Sequence, residues 1–216
     1  MQVLSALLDL VLPVRCGGCE TAGTPWCRRC ADTLNDSPAR VRARVDPGVP
    51  VWALGAYSGA RRNAVVAAKE RGRRDLATPL GLAVAVAIAR LRRWGEIPSG
   101  PLLVVPAPSR ARAARARGGD PVTRMARCAA SHDRSLHVHP VLVTDAGVRD
   151  SVGLSARQRQ ANLAGRISIR AGSIPRGLPV LVIDDIVTTG ATAAEAVRVL
   201  RKEGFRTSGI LAISHA

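Results

Sequence analysis

The side chains best placed for chemistry lie in residues 179–192, Pro-Val-Leu-Val-Ile-Asp-Asp-Ile-Val-Thr-Thr-Gly-Ala-Thr. An apolar run ends in Asp184 and Asp185, and a loop of small residues, Thr188, Thr189, Gly190, Ala191 and Thr192, leads into a helix-forming stretch. Carboxylates are acceptors suited to a vicinal diol such as the 2′- and 3′-hydroxyls of ribose. The N–H groups of a small-residue loop, added to the dipole of the helix that follows, make an anion site. Gly190 allows close approach of the loop backbone to a ligand, and the threonine hydroxyls add donors. Asp at a strand end and Thr at a helix cap are each common for purely structural reasons. Their combination in this order points to a ligand carrying both phosphate and ribose, at the strand tip where open α/β sheets bind ligands.

A second cluster lies near the start of the chain. Cys16-Gly-Gly-Cys19 and Cys27-Arg-Arg-Cys30 are two C-x-x-C pairs separated by seven residues. Two such knuckles deliver four soft ligands to one point, and the spacing fits a closed, structural zinc site with no position left for a reactive water. Two disulfides or a redox dithiol are the competing readings; a cytosolic chain rarely keeps structural disulfides, and a redox motif would not be duplicated so closely. Gly17 and Gly18 would let the backbone curl around the ion, while Arg15, Arg28 and Arg29 flank the sulfurs and could offset their charge or touch phosphates. Cys128 reads as a small apolar residue on a helix, and His137-x-His139 as part of a surface strand rather than a metal site.

These residues must be positioned by the rest of a 216-residue chain, long enough for one full core and a small appendage. From residue 51 onward, strand and helix patterns alternate. Strands are expected at 51–56, 102–105, 141–143, 167–169, 180–183 and 208–213. Helices are expected at 60–71, 75–94, from about Ser109 with an interruption at Gly118-Gly119, 156–163 and 192–203. Short, continuously apolar strands alternating with helices argue a parallel α/β sheet. Val3, Leu7, Leu10 and Val11 share a helical face, and residues 35–50, rich in Pro and Gly, read as a linker or exposed crossing segment. The expected division is 1–45 for the helix, knuckle and linker, and 46–216 for the α/β unit.

Thirty-two basic residues against sixteen acidic ones leave a formal charge of +16. That surplus suits nucleic acid or a phosphate-rich ligand, although nearly all of it is Arg, which a GC-rich coding sequence also produces. Trp26, Trp52, Trp94, Tyr57 and Phe205 are too few for a base-stacking platform, so any nucleic-acid contact would lean on phosphates and weaken with salt. The opening residues lack a basic leader, and neither they nor residues 79–89 are long enough to span a bilayer; a cytoplasmic protein without membrane insertion is expected. Neither lysine follows a Gly-x-x-x-x-Gly, so a triphosphate P-loop is absent.

Residues 180–192 resemble, at every position, the phosphoribosyl pyrophosphate motif of the type I phosphoribosyltransferases. That resemblance implies that Asp184 and Asp185 hold the ribose hydroxyls and that Thr188, Thr189, Gly190, Ala191 and Thr192 cradle the 5′-phosphate. It also implies a pyrophosphate loop at Pro106, Ala107, Pro108, Ser109 and Arg110, and a magnesium ion accompanying the ligand. Lys69, Arg73 and Arg159 could clamp pyrophosphate, though exposed helix faces explain them equally well.

With the four-cysteine knuckle, the chain as a whole resembles the ComF family, associated with DNA uptake in competence. Further matches are Tyr57, Lys69-Glu-Arg-Gly72, Val105-Pro-Ala-Pro108, Arg117-Gly118, Gly153-Leu-Ser-Ala-Arg-Gln-Arg159 and Asn162. The departure is Gly119-Asp120, where the family often has an aromatic and an Asn. The resemblance implies a type I phosphoribosyltransferase-like parallel sheet flanked by helices, with a small N-terminal zinc-binding domain. It further implies a factor handling single-stranded DNA, together with a DNA-uptake helicase. Two other functions stay open, a transferase acting on a free base or amine and a non-catalytic, ligand-sensing regulator. In any transferase reading, Asp184 and Asp185 are the catalytic candidates, orienting and stabilising rather than accepting a proton.

Overall fold

The computed structural model describes residues 14–108, 119–144, 165–170 and 174–216. The expected N-terminal helix, Ser109 and Arg110, the Arg117-Gly118 pair, and the segment 153–163 with Arg159 and Asn162 lie outside the described residues.

The framework is a six-stranded, mostly parallel sheet in the order β1-β2-β8-β7-β3-β4. Its members are β1 (Ala39–Arg40), β2 (Val51–Ala53), β3 (Leu102–Pro106), β4 (Leu136–Val138), β7 (Val180–Val187) and β8 (Thr207–His215). Only the β1–β2 pairing is antiparallel. Two further strands, β5 (Leu142–Thr144) and β6 (Ile167–Ile169), form a separate antiparallel ribbon. The helices are α1 (Arg28–Leu34), α2 (Gly59–Lys69), α3 (Ala77–Arg93), α4 (Pro121–His132) and α5 (Ala191–Lys202). A 3-10 turn, Arg74–Leu76, leads into α3. No helix among the described residues is long and apolar enough to cross a membrane.

The central strands are continuously apolar because helices cover both faces of the sheet. One face, bearing Leu102, Val104, Leu181, Ile183, Leu211 and Ile213, packs with buried residues of α2, α3 and α4. The other, bearing Leu103, Val105, Val180, Val182, Ile210 and Ala212, packs with α5. Alternation along the buried part of β7, Val180 to Ile183, therefore sends odd-numbered residues toward α2 and even-numbered ones toward α5.

Several elements differ from their expected extents; the strand expected at 51–56, for one, ends at Ala53. The strand expected at 180–183 runs on to Val187, because β8 continues alongside it and pairs Asp184 with Ala212, Ile186 with Ser214 and Val187 with His215. The helix expected from about Ser109 has its described start at Pro121, where Asp120 caps it by accepting from the Thr123 N–H at 2.7 Å and Pro121 occupies the first turn.

Helices α3 and α4 meet at Gly81. A Cβ at that position would lie 2.5 Å from the Cys128 Cβ and 2.8 Å from the Met125 carbonyl oxygen. Cys128 thus serves as packing in this contact, its Sγ 3.7 Å from the Thr78 carbonyl oxygen. Backbone cannot yield as a flexible side chain can, so Gly81→Ala is expected to destabilise the fold by about 1–3 kcal/mol. Gly100, where a Cβ would meet nothing within 4 Å, should tolerate Ala with little change. Thermal unfolding of the two variants checks this; equal midpoints would contradict the packing.

Candidate functional site

At the sheet's carboxyl edge, a cleft of about 270 Å³ is lined by Lys69, Pro108 and the continuous run 184–193. Asp184, Asp185, Thr188, Thr189, Gly190, Ala191 and Thr192 therefore share one cavity, as their order in the sequence predicts. The remaining expected residues divide. Pro108 lines the cleft, while Pro106 and Ala107 are buried, Pro106 opposite Ile183 in the β3–β7 pairing and Ala107 donating its N–H to the Ile183 carbonyl at 2.7 Å. They set the height of Pro108 rather than lining the cleft themselves.

Asp185 falls on the α2 side of β7, which explains its partner. Lys69, at the last position of α2, places Nζ 2.9 Å from Asp185 Oδ2 and 3.2 Å from Oδ1. The Asp185 side chain is 11% exposed and that of Lys69 is 40% exposed, so the pair sits at the cleft wall. Burial opposes the Lys69 charge, but the Asp185 and Asp184 carboxylates outweigh it and raise the ammonium's pKa. Asp184 accepts the Asp185 backbone N–H on Oδ1 at 2.8 Å. Burial, followed by the adjacent Asp185 carboxylate, pushes the Asp184 carboxyl well above the usual range.

The loop closes on Gly190, the residue preceding α5, with φ of 84°. A Cβ there would lie 2.5 Å from the Ala43 Cβ and 2.6 Å from the Val45 carbonyl oxygen. The backbone that Gly190 admits is thus the protein's own segment 43–45, which also donates the Val45 N–H to the Thr189 carbonyl at 2.8 Å. The expected linker is a strap, pinned at one end by β1 pairing with β2 and at the other by the loop.

The cysteine sulfurs of Cys16, Cys19, Cys27 and Cys30 all lie within 4.8 Å of one another, and none is in a disulfide. Cys27 donates its N–H to Cys16 Sγ at 3.4 Å, and Cys19 Sγ lies 3.1 Å from the Thr21 hydroxyl. Hydrogen bonds from Thr21 lower Cys19 to about 5, whereas burial and the neighbouring sulfurs push Cys30 up. Four thiolates at this spacing could hold a zinc ion. Gly18 is needed for room: a Cβ there would lie 2.7 Å from Cys30 Sγ, while the positive φ of the turn, 62°, falls on Glu20.

Helix α2 joins the two sites. Asn63 donates to the Gly18 carbonyl at 2.7 Å, and buried Arg61 reaches the Thr33 carbonyl and the Asp36 carboxylate. Arg73, just beyond α2, donates to the carbonyls of Arg15 at 2.8 Å and Pro25 at 3.2 Å while paired with Asp75. It braces the knuckle and is not among the described residues that line the cleft. Lys69, by contrast, belongs to the cleft as partner of the acidic pair, which its place on an Arg-rich helix did not disclose.

As for a magnesium ion, the carboxylates alone do not offer a ready cage. Both Asp185 oxygens face Lys69, and one Asp184 oxygen is taken by a backbone N–H. No protein-family model matches this chain, and no curated protein matches it.

Two outcomes are expected. The full chain, produced with zinc present, should carry about one zinc per chain, and Cys30→Ser should lose it; metal analysis showing no zinc, with thiols consumed in disulfides, would contradict the site. Gly190→Ala should cost about 1–3 kcal/mol of stability through its left-handed backbone and the clash with the strap, read by chemical denaturation.

Proposed function

We propose that the chain binds phosphoribosyl pyrophosphate, or a ligand with the same 5-phosphoribosyl group, in the cleft between Lys69 and residues 184–192. The observation that carries this reading is the convergence of an acidic pair and the start of α5 on one cavity at a strand tip. The loop amides and threonine hydroxyls receive the 5′-phosphate. Asp185 and Asp184 accept from the ribose 2′- and 3′-hydroxyls, and Pro108 marks the side from which pyrophosphate approaches. Magnesium would accompany the pyrophosphate, its ligands coming chiefly from the ligand itself.

This reading makes the sheet a type I phosphoribosyltransferase-like fold and the cysteine cluster a structural zinc knuckle, the combination that resembles the ComF family. On that resemblance, and with a charge of +16, the proposed role is in handling single-stranded DNA during uptake. The DNA is gripped through its phosphates by arginines, beside a partner helicase.

One feature favours a second reading, that of a transferase for a free base or amine. Asp184 and Asp185 line the same cleft as Pro108, so the acids can orient and stabilise a sugar whose C1 faces the pyrophosphate side. Attack at ribose C1 would then displace pyrophosphate, the carboxylates stabilising positive charge that develops on the sugar.

Isothermal titration with phosphoribosyl pyrophosphate and magnesium tests the proposal, repeated with a single-stranded oligonucleotide at low and high salt. Saturable heat from the sugar phosphate is expected. Asp185→Asn should weaken it by about tenfold or more, the loss of a charged hydrogen-bond acceptor. Oligonucleotide binding that falls steeply with salt supports DNA handling; base-dependent pyrophosphate release supports the transferase. An unchanged affinity in Asp185→Asn would remove the ribose assignment.

A further inference from the structure

Two carboxylates beside a phosphate-binding loop would ordinarily attract a divalent cation, since hard cations take oxygen ligands. In this cleft that attraction is answered from within the chain. Lys69 Nζ lies within 3.2 Å of both Asp185 oxygens. Asp184 Oδ1 accepts the Asp185 N–H at 2.8 Å. Of the four carboxylate oxygens, only Asp184 Oδ2 lacks one of these contacts, and one oxygen is a poor site for a cation that takes six ligands or more.

The lysine is held there by more than its own charge. Its helix is tied at Arg61 to the Thr33 carbonyl and Asp36, and at Asn63 to the Gly18 carbonyl. Beyond the helix, the Arg73 N–H donates to the Ala67 carbonyl at 3.1 Å, closing the chain back on its last turn. Lys69 is also the one cationic side chain among the described residues lining this cleft.

We propose that Lys69 is a resident counter-cation, which keeps free divalent cations off Asp184 and Asp185 so that a metal enters the cleft only in company with its anionic ligand. The role rests on the phosphoribosyl reading of the cleft and deepens it. When the sugar phosphate binds, the ammonium can turn from Asp185 to the ligand's phosphate oxygens, and Asp185 is released to accept from the ribose hydroxyls. The cleft then discriminates between a metal-bound polyphosphate and its two components, because the bare metal meets a lysine.

The test is a manganese titration of the full-length, zinc-loaded chain without any sugar phosphate, reading free Mn²⁺ by electron paramagnetic resonance. Manganese prefers oxygen ligands, so the cysteines do not compete. Wild type should show no site in the cleft, and Lys69→Arg should match it. Lys69→Met, which keeps the stem and removes the charge, should bind Mn²⁺ about tenfold or more tightly, and this gain should vanish in Lys69→Met/Asp185→Asn. No gain in a folded Lys69→Met, or a gain that survives Asp185→Asn, overturns the proposal. Should Lys69→Met fail to fold, wild type still decides: Mn²⁺ binding that Asp185→Asn abolishes overturns it, and no such binding supports it. Because no sugar phosphate is present, these outcomes are separate from the titration that tests the ligand. A chain that excludes Mn²⁺ but ignores phosphoribosyl pyrophosphate would lose the function and keep the counter-cation.

Discussion

Consecutive carboxylates at the end of a buried strand repel each other and resent the loss of water, and the strand can hold them only if something positive is brought to them. In this protein the positive group comes from 116 residues away, Lys69 reaching Asp185 from the last position of α2. Much of the architecture can be read as the means of placing that ammonium. Helix α2 must lie on the odd-numbered face of β7. It must stop at the height of the sheet's carboxyl edge, and it must resist sliding, which the Arg61 and Asn63 contacts with the knuckle segment oppose. Removing one partner of a half-buried pair of this kind leaves an uncompensated charge, a loss of several kcal/mol where burial is complete and less at a cleft wall.

The same dependence gives the cysteine cluster a mechanical meaning. Its loop carbonyls, at Arg15, Gly18 and Pro25, are the acceptors that Arg73 and Asn63 use. Their positions are set by the turn that gathers the four sulfurs. Closing that turn on a metal would stiffen the acceptors on which α2 rests, and through α2 the cleft wall. On the opposite side, the strap at 43–45 braces the loop through Thr189 and Gly190. The cleft is thus supported on both flanks by residues that precede β2 in sequence.

What could be read from the sequence followed the range of the forces involved. Residues 102–105, 180–183 and 208–213 announced themselves as strands because both faces are buried and polar residues are excluded. The loop at 188–192 was equally plain, because its glycine and threonines serve local backbone geometry. The cysteine grouping was legible from spacing alone. Less visible was anything settled by a distant partner. The continuation of β7 through Asp184 to Val187 depends on β8 running beside it, and two acids gave no sign of strand. Residues 35–50 looked like a tether because of Ser37-Pro38 and Asp46-Pro-Gly-Val-Pro50, yet the Val45 amide makes them part of the loop. Lys69 was indistinguishable from a solvent-facing helix residue until the sheet placed Asp185 beneath it.

The strand order has a bearing on how such a molecule is made. Because β8 is inserted between β2 and β7, a strand synthesised after the other described strands is the one that joins the earliest part of the sheet to its centre. Until it arrives, β2 has no parallel partner in the sheet, and the acids of β7 lie along an unpaired edge. A nascent chain would therefore have to shelter a half-finished sheet until β8 is made, the circumstance in which sequence-distant pairings slow folding and exposed edges invite association with other chains.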